Sequence, residues 1–191
     1  MIRHMLKLLK SPVNRVFIFI LVAFLPAGNF AQSEIKKEKG PYVSLTPQYK
    51  FSNTLKEQEE ELKNNPLMIR FAKSRERLAA DRYRPLYHFV SPENMLNDPN
   101  GLCFWQGKWH LFYQAYPPDE FPDPKDIKKR RQHWGHAVSD DLVYWRDLPY
   151  AIYPGIEKMC FSGSTYVEDD RVVAFYPGIG AGQMVATSSD P

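Results

Sequence analysis

The sequence predicts an all-β fold of repeated short antiparallel strands, preceded by a short helical extension. Three observations carry this. Of 27 aromatic residues, 19 fall in the last 109 positions, from Tyr83 onward. Strand-like runs recur there at short, regular spacing around Asp- and Gly-containing turns, and no amphipathic helical pattern separates them. A propeller, a sandwich or a barrel each satisfies this pattern.

The elements follow in chain order. Residues 1–31 carry Arg3, Lys7, Lys10 and Arg15 and no acid, then an apolar run from Val16 to Leu25 and small residues up to Ala31. This is the order of a secretory signal. Ten apolar residues cover only about half of a bilayer core, so a cleaved signal is preferred to a permanent anchor. No Cys lies near the cut, which argues against a lipoprotein. The expected destination is secreted or periplasmic, with no stable membrane insertion after cleavage.

Residues 32–82 read as a polar linker and helical extension. The charged stretch Ser52–Asn64 predicts a short solvated helix. Asn65 suits an N-cap and Pro66 a first helical turn, so a second helix is expected from Leu67 to about Asp81, with Leu67, Phe71 and Leu78 on one face. The extension is expected to pack on the main domain without chemistry of its own.

Residues 83–191 form the β domain. Leu102–Trp105 and Trp109–Gln114 flank a Gly-containing turn, Trp134–Val138 and Val143–Trp145 flank Ser139-Asp140-Asp141, and Ser164–Val167 and Val172–Tyr176 flank Glu168-Asp169-Asp170. A quarter of the chain is charged, which excludes a polytopic membrane protein. Beyond residue 31 the balance is 21 basic against 22 acidic residues, and no basic surface calls for nucleic acid. Cys103 and Cys160 lie in apolar stretches and read as buried free thiols. His133 and His136 lack a second ligand pair for a metal.

Asn97-Asp98-Pro99-Asn100-Gly101 is a tight-turn sequence just before a buried strand. It would hold the Asp98 carboxylate with little freedom, as a nucleophile requires. Such a sequence alone is most simply a structural turn. Its downstream company gives it weight: Phe112-Tyr113-Gln114, Trp134-Gly135-His136-Ala137-Val138-Ser139-Asp140-Asp141-Leu142, Leu148-Pro149 and Phe161-Ser162-Gly163-Ser164, in that order.

From about Tyr87 onward this ordered set resembles glycoside hydrolase family 32, the invertases, levanases, inulinases and related β-fructosidases. The resemblance implies a five-bladed β-propeller, of which this chain holds about the first two blades, and retaining hydrolysis of β-fructosyl bonds in sucrose or fructans. It implies no metal or organic cofactor. Asp98 would be the nucleophile. Asn97 and Gln114 would bond sugar hydroxyls, and Phe161 and Ser162 would line the fructose subsite. Trp134 is a less certain match, divided between a pocket role and packing inside a blade.

Three departures matter. Met95 stands where the family usually has Trp. The loop between Gln114 and Trp134 lacks the second Trp-Gly that commonly faces the sugar, and Phe121 is the aromatic available to replace it. The basic run Lys128–Arg131 in that loop reads as a solvated face. The acid/base Glu-Cys motif and the Arg-Asp-Pro motif that the resemblance implies do not occur in these residues, and neither Glu157 nor Glu168 has the expected context. The 191 residues by themselves are therefore expected to be inactive. The alternatives are a truncated sugar-binding or remnant protein, or a related five-bladed glycosidase for arabinosyl or xylosyl bonds.

Overall fold

The computed structural model describes residues 42–93, 96–120 and 130–190. The expected export signal lies outside the described residues. After a strap at 42–47 come two helices, α1 (Leu55–Lys63) and α2 (Pro66–Leu78). Thr54 caps α1 by accepting from Glu57 N, and Glu57 sits in its first turn. No residue of α1 is buried. Asn65 caps α2 through the amides of Leu67 and Met68, with Pro66 in the first turn, as expected from the sequence.

Seven strands form two antiparallel sheets. Sheet 1 has the order β1 (Leu96–Trp105), β2 (Lys108–Ala115), β3 (His133–Ser139), β4 (Arg146–Ile152). Sheet 2 has the order β5 (Ser164–Val167), β6 (Val172–Gly178), β7 (Gly182–Ser188). Both are meanders, because each pair of strands is joined by a turn or loop that returns the chain beside itself. The first strands of the two sheets adjoin, and Thr165 Oγ1 on β5 donates to the Gly101 carbonyl on β1 at 2.9 Å.

Alternation along β2 explains the layers. Phe112 and its β3 neighbour Trp134 face sheet 2 and pack with Cys103, Cys160, Ala174 and Tyr176. Tyr113 and Ala115 face the other way, against Leu67 and Phe71 of α2 and Tyr150 of β4. Sheet 1 is thus covered on both faces. Each fully buried large side chain in these clusters contributes about 1.5–3 kcal/mol. Both cysteines are buried. No helix among the described residues is long and apolar enough to cross a membrane.

The structure departs from the sequence reading in three places. The fourth strand begins at Arg146, and Val143–Trp145 lies in the preceding bends. Asp141 Oδ1 accepts from the amides of Val143 and Tyr144, and Ser139 Oγ accepts from Asp141 and Leu142, so local side-chain bonds hold a turn where a strand was expected. Strand β7 lies beyond the strands that the sequence predicts. The Asn97–Gly101 segment does not precede the strand; it forms the first half of β1.

Candidate active site

The β1–β2 register locates the site. Leu96 pairs with Ala115 and Pro99 with Tyr113, so Asn97 and Asp98 both oppose the single residue Gln114. That is a β-bulge, which re-aims side chains and tightens the local twist. A second irregularity follows: Asn100 pairs with Phe112 and Cys103 with His110, leaving Gly101 and Leu102 opposite Leu111. Gly101 takes φ +59°, the left-handed conformation typical of the first residue in one class of bulge. Pro99 is tolerated here because β1 is an edge strand of its sheet.

Asn97 and Asp98 are exposed. Ser162 Oγ donates to Asp98 Oδ2 at 2.8 Å, joining the two motifs across the gap between the sheets. Gln114 is 1% exposed and faces Asn100, with Nε2 3.5 Å from Asn100 Oδ1. Gln114 Oε1 and Asn100 Nδ2 have no hydrogen-bond partner among the described residues. Unspent buried hydrogen-bonding capacity beside an exposed carboxylate fits a site for a polar ligand.

The segment carrying Phe161 and Ser162 is held from both sheets. Cys160 N donates to the Gln132 carbonyl at 3.0 Å, and Phe161 N donates to the Pro177 carbonyl at 2.9 Å. Trp134 Nε1 donates to the Phe161 carbonyl at 2.9 Å. The Trp134 side chain is 0% exposed and packs among Phe112 and Tyr176, so it acts on the segment from inside the core. Phe161 remains partly open to solvent. Gly163 is required by contact: a Cβ there would lie 1.9 Å from the Phe175 carbonyl oxygen.

The neighbouring glutamates are occupied. Glu157 is buried and accepts from Tyr176 OH at 2.8 Å, from Gly155 N at 3.3 Å and from the Cys160 thiol at 3.4 Å. Burial, with the Glu157 charge second, pushes the Cys160 thiol well above its usual range, so it stays protonated. Glu168 lies at the far end of β5 from Ser162 and pairs with Arg171.

One residue near the site, Tyr116, escaped the sequence reading. Tyr116 lies just past the end of β2, two positions beyond Gln114. Burial raises its hydroxyl pKa, the Arg130 charge opposes that rise, and the Asp98 charge adds to it. The Arg130 guanidinium sits over its ring, 5.7 Å from the centroid. Arg130 and Arg131 do not form the solvated face expected of them. Arg131 Nη1 donates to the Val43 carbonyl at 2.8 Å, and its guanidinium lies 5.3 Å from the Tyr42 ring centroid. Phe121, Lys128, Lys129 and Met95 lie outside the described residues. His133 and His136 face different partners, Ser44 and His110 respectively, and do not converge.

Comparison with known proteins places this arrangement. Residues 88–191 match the model of the glycosyl hydrolases family 32 N-terminal domain. The chain belongs to this family. The family 32 chain is 44% identical over 96 residues to a levanase of Bacillus subtilis, covering 50% of this chain and 13% of that protein. It is 39% identical over 124 residues to a sucrose-6-phosphate hydrolase of Escherichia coli, covering 56% and 24%. It superposes on the GH32 β-fructofuranosidase BmSUC1 of Bombyx mori with a TM-score of 0.50 at 36% identity, covering 72% of this chain and 28% of that one. The family 32 chain thus spans 13% to 24% of the length of these two curated relatives.

Proposed function

We propose that this chain supplies the nucleophile and part of the fructose subsite of a retaining β-fructosidase acting on sucrose or fructans. The observation that carries the reading is the Ser162–Asp98 hydrogen bond, which unites two distant motifs opposite Gln114. Asp98 attacks the anomeric carbon while the glycosidic C–O bond breaks and a second carboxyl group protonates the departing oxygen. Water, deprotonated by that same group, then attacks the fructosyl ester and releases Asp98. Ser162 holds one carboxylate oxygen and leaves Oδ1 to form the new bond. The side-chain amides of Asn97 and Gln114 orient sugar hydroxyls, Phe161 walls the subsite, and Trp134 contributes through the Phe161 backbone.

The acid/base and the transition-state stabiliser lie in Glu-Cys and Arg-Asp-Pro motifs, which these 191 residues do not contain. The two sheets are read as the first blades of a five-bladed propeller. Residues 1–31 are read as an export signal, giving a secreted or periplasmic enzyme that needs no metal or organic cofactor. The test is Asp98→Asn in the full-length protein. Turnover of sucrose, levan and inulin is expected to fall by about 10⁴-fold or more while the unfolding midpoint is kept. Undiminished turnover would remove Asp98 from the mechanism.

A further inference from the structure

The β1–β2 hairpin is closed at one end by its turn at Gln106 and Gly107, and Asp98 and Gln114 sit toward the other, open end. No turn of the hairpin fixes the separation of the two chains there. The helical extension bridges the segments that flank it there. Arg70 of α2 lies between Glu93, three residues before β1, and Asp119, four residues after β2. Its Nε lies 2.8 Å from Glu93 Oε1 and its Nη2 donates to Glu93 Oε2 at 3.1 Å. On the other side Nη1 donates to Asp119 Oδ1 at 3.0 Å, and Nη2 is 2.9 Å from Asp119 Oδ2. One planar guanidinium therefore joins the segment before β1 to the short helix after β2, a task suited to its fork of donors.

The clamp is itself anchored. Arg75, one turn and a half further along α2, pairs with Asp147 of β4 through Nε and Nη2, and Nη2 also donates to the Val90 carbonyl at 2.8 Å. Tyr150 OH lies 3.4 Å from Glu93 Oε2. Beside Asp119, the buried Glu120 accepts from Ser44 Oγ at 2.6 Å and from Leu45 N at 2.7 Å, so the strap holds the same exit from β2. The BmSUC1 superposition covers a larger share of this chain than residues 88–191 make up, so it extends into the region before the family segment.

We infer that Arg70 is a positioning residue for Asp98, holding the bulge that carries the carboxylate in register with Gln114. This rests on the proposed role of Asp98. Arg70→Gln in the full-length protein is expected to lower kcat on sucrose about 10- to 100-fold at a temperature well below its unfolding midpoint, with KM changed by less than about 3-fold. Arg70→Lys, which keeps the charge but not the fork, is expected to fall short of wild-type kcat. Backbone amides in β1 are expected to exchange faster in Arg70→Gln. Wild-type kcat in Arg70→Gln, or a loss that tracks only its unfolded fraction, would overturn the inference, as would full rescue by Lys. If Arg70→Gln does not fold, Asp119→Ala, which removes the acceptor and leaves the Glu93 pair intact, carries the same test, and wild-type kcat there overturns it. A wild-type protein without fructosidase turnover defeats the proposed function instead, and the exchange measurement then decides the clamp alone.

Discussion

At Gly101 the backbone has φ +59°, and a Cβ built there would sit 3.0 Å from Thr165 Cγ2 and 3.1 Å from ring carbons of Phe112 and Trp134. Two costs therefore meet in Gly101→Ala: a left-handed conformation that L-residues resist, and contacts with a packed core that has little room to yield. The substitution is expected to destabilise by about 1–3 kcal/mol, read as a lower urea midpoint with unchanged m-value. A midpoint equal to wild type would mean that the bulge relaxes. Residue identities at the site were legible because Asn97, Asp98, Gln114, Phe161 and Ser162 stand in recognisable short motifs. What those motifs could not give was the bulge, since two residues facing one is a property of the β1–β2 register and not of either strand alone. Trp134 shows the same limit: its type suited a pocket or a core equally, and only tertiary packing puts the indole inside with its Nε1 on the Phe161 carbonyl.

At the scale of elements, Asn65-Pro66 marked α2 and the Asp-rich turn marked β5 and β6, because capping and turn chemistry are local. Strand β7 hid in Gly182–Ser188, whose side chains are mostly exposed and give little periodic signal. The strap could not be foreseen either, since it depends on Glu120 and His133 meeting Ser44 from far along the chain. That junction carries a pH prediction. Burial lowers the His133 pKa from 6.5 to about 4, against the opposing pull of Glu120, and burial with the His110 charge lowers His136 to about 3. Below its ordinary pKa an unfolded His binds a proton that the folded one refuses. The stability due to neutral burial is therefore complete above pH 6.5 and is lost as pH falls toward 4, by up to about 1.4 kcal/mol per pH unit for each group. Glu93, whose pKa burial raises despite Arg70, works in the opposite sense, so the comparison must be made within a pair. His133→Gln is expected to flatten the fall in unfolding free energy between pH 7 and 5 relative to wild type. Parallel curves would mean that Glu120 keeps His133 protonated in the fold.

For the whole molecule, retaining hydrolysis needs two carboxyl groups about 5–5.5 Å apart, and among the described residues the glutamates of the β domain are engaged elsewhere. Glu157 is buried under Tyr176 and Cys160, Glu93 is held by Arg70, Glu120 is sealed beneath the strap, and Glu168 sits at the opposite end of β5. Moving any of them to the Asp98 face would break the contacts that hold their own segments. Sheet 2 also keeps Tyr166, Phe175 and Val185 exposed on one face, apolar surface of the kind that a neighbouring layer covers. Strand periodicity announced repeated sheets but not how many close the fold, because closure depends on packing between sheets and not on the period within one. A polypeptide of these 191 residues alone is accordingly expected to release no fructose from sucrose or levan above the rate of the Asp98→Asn version of the same polypeptide. Release that depends on Asp98 would overturn this, and the loss of that activity in Glu157→Gln, with folding kept, would identify the second carboxyl group inside the chain.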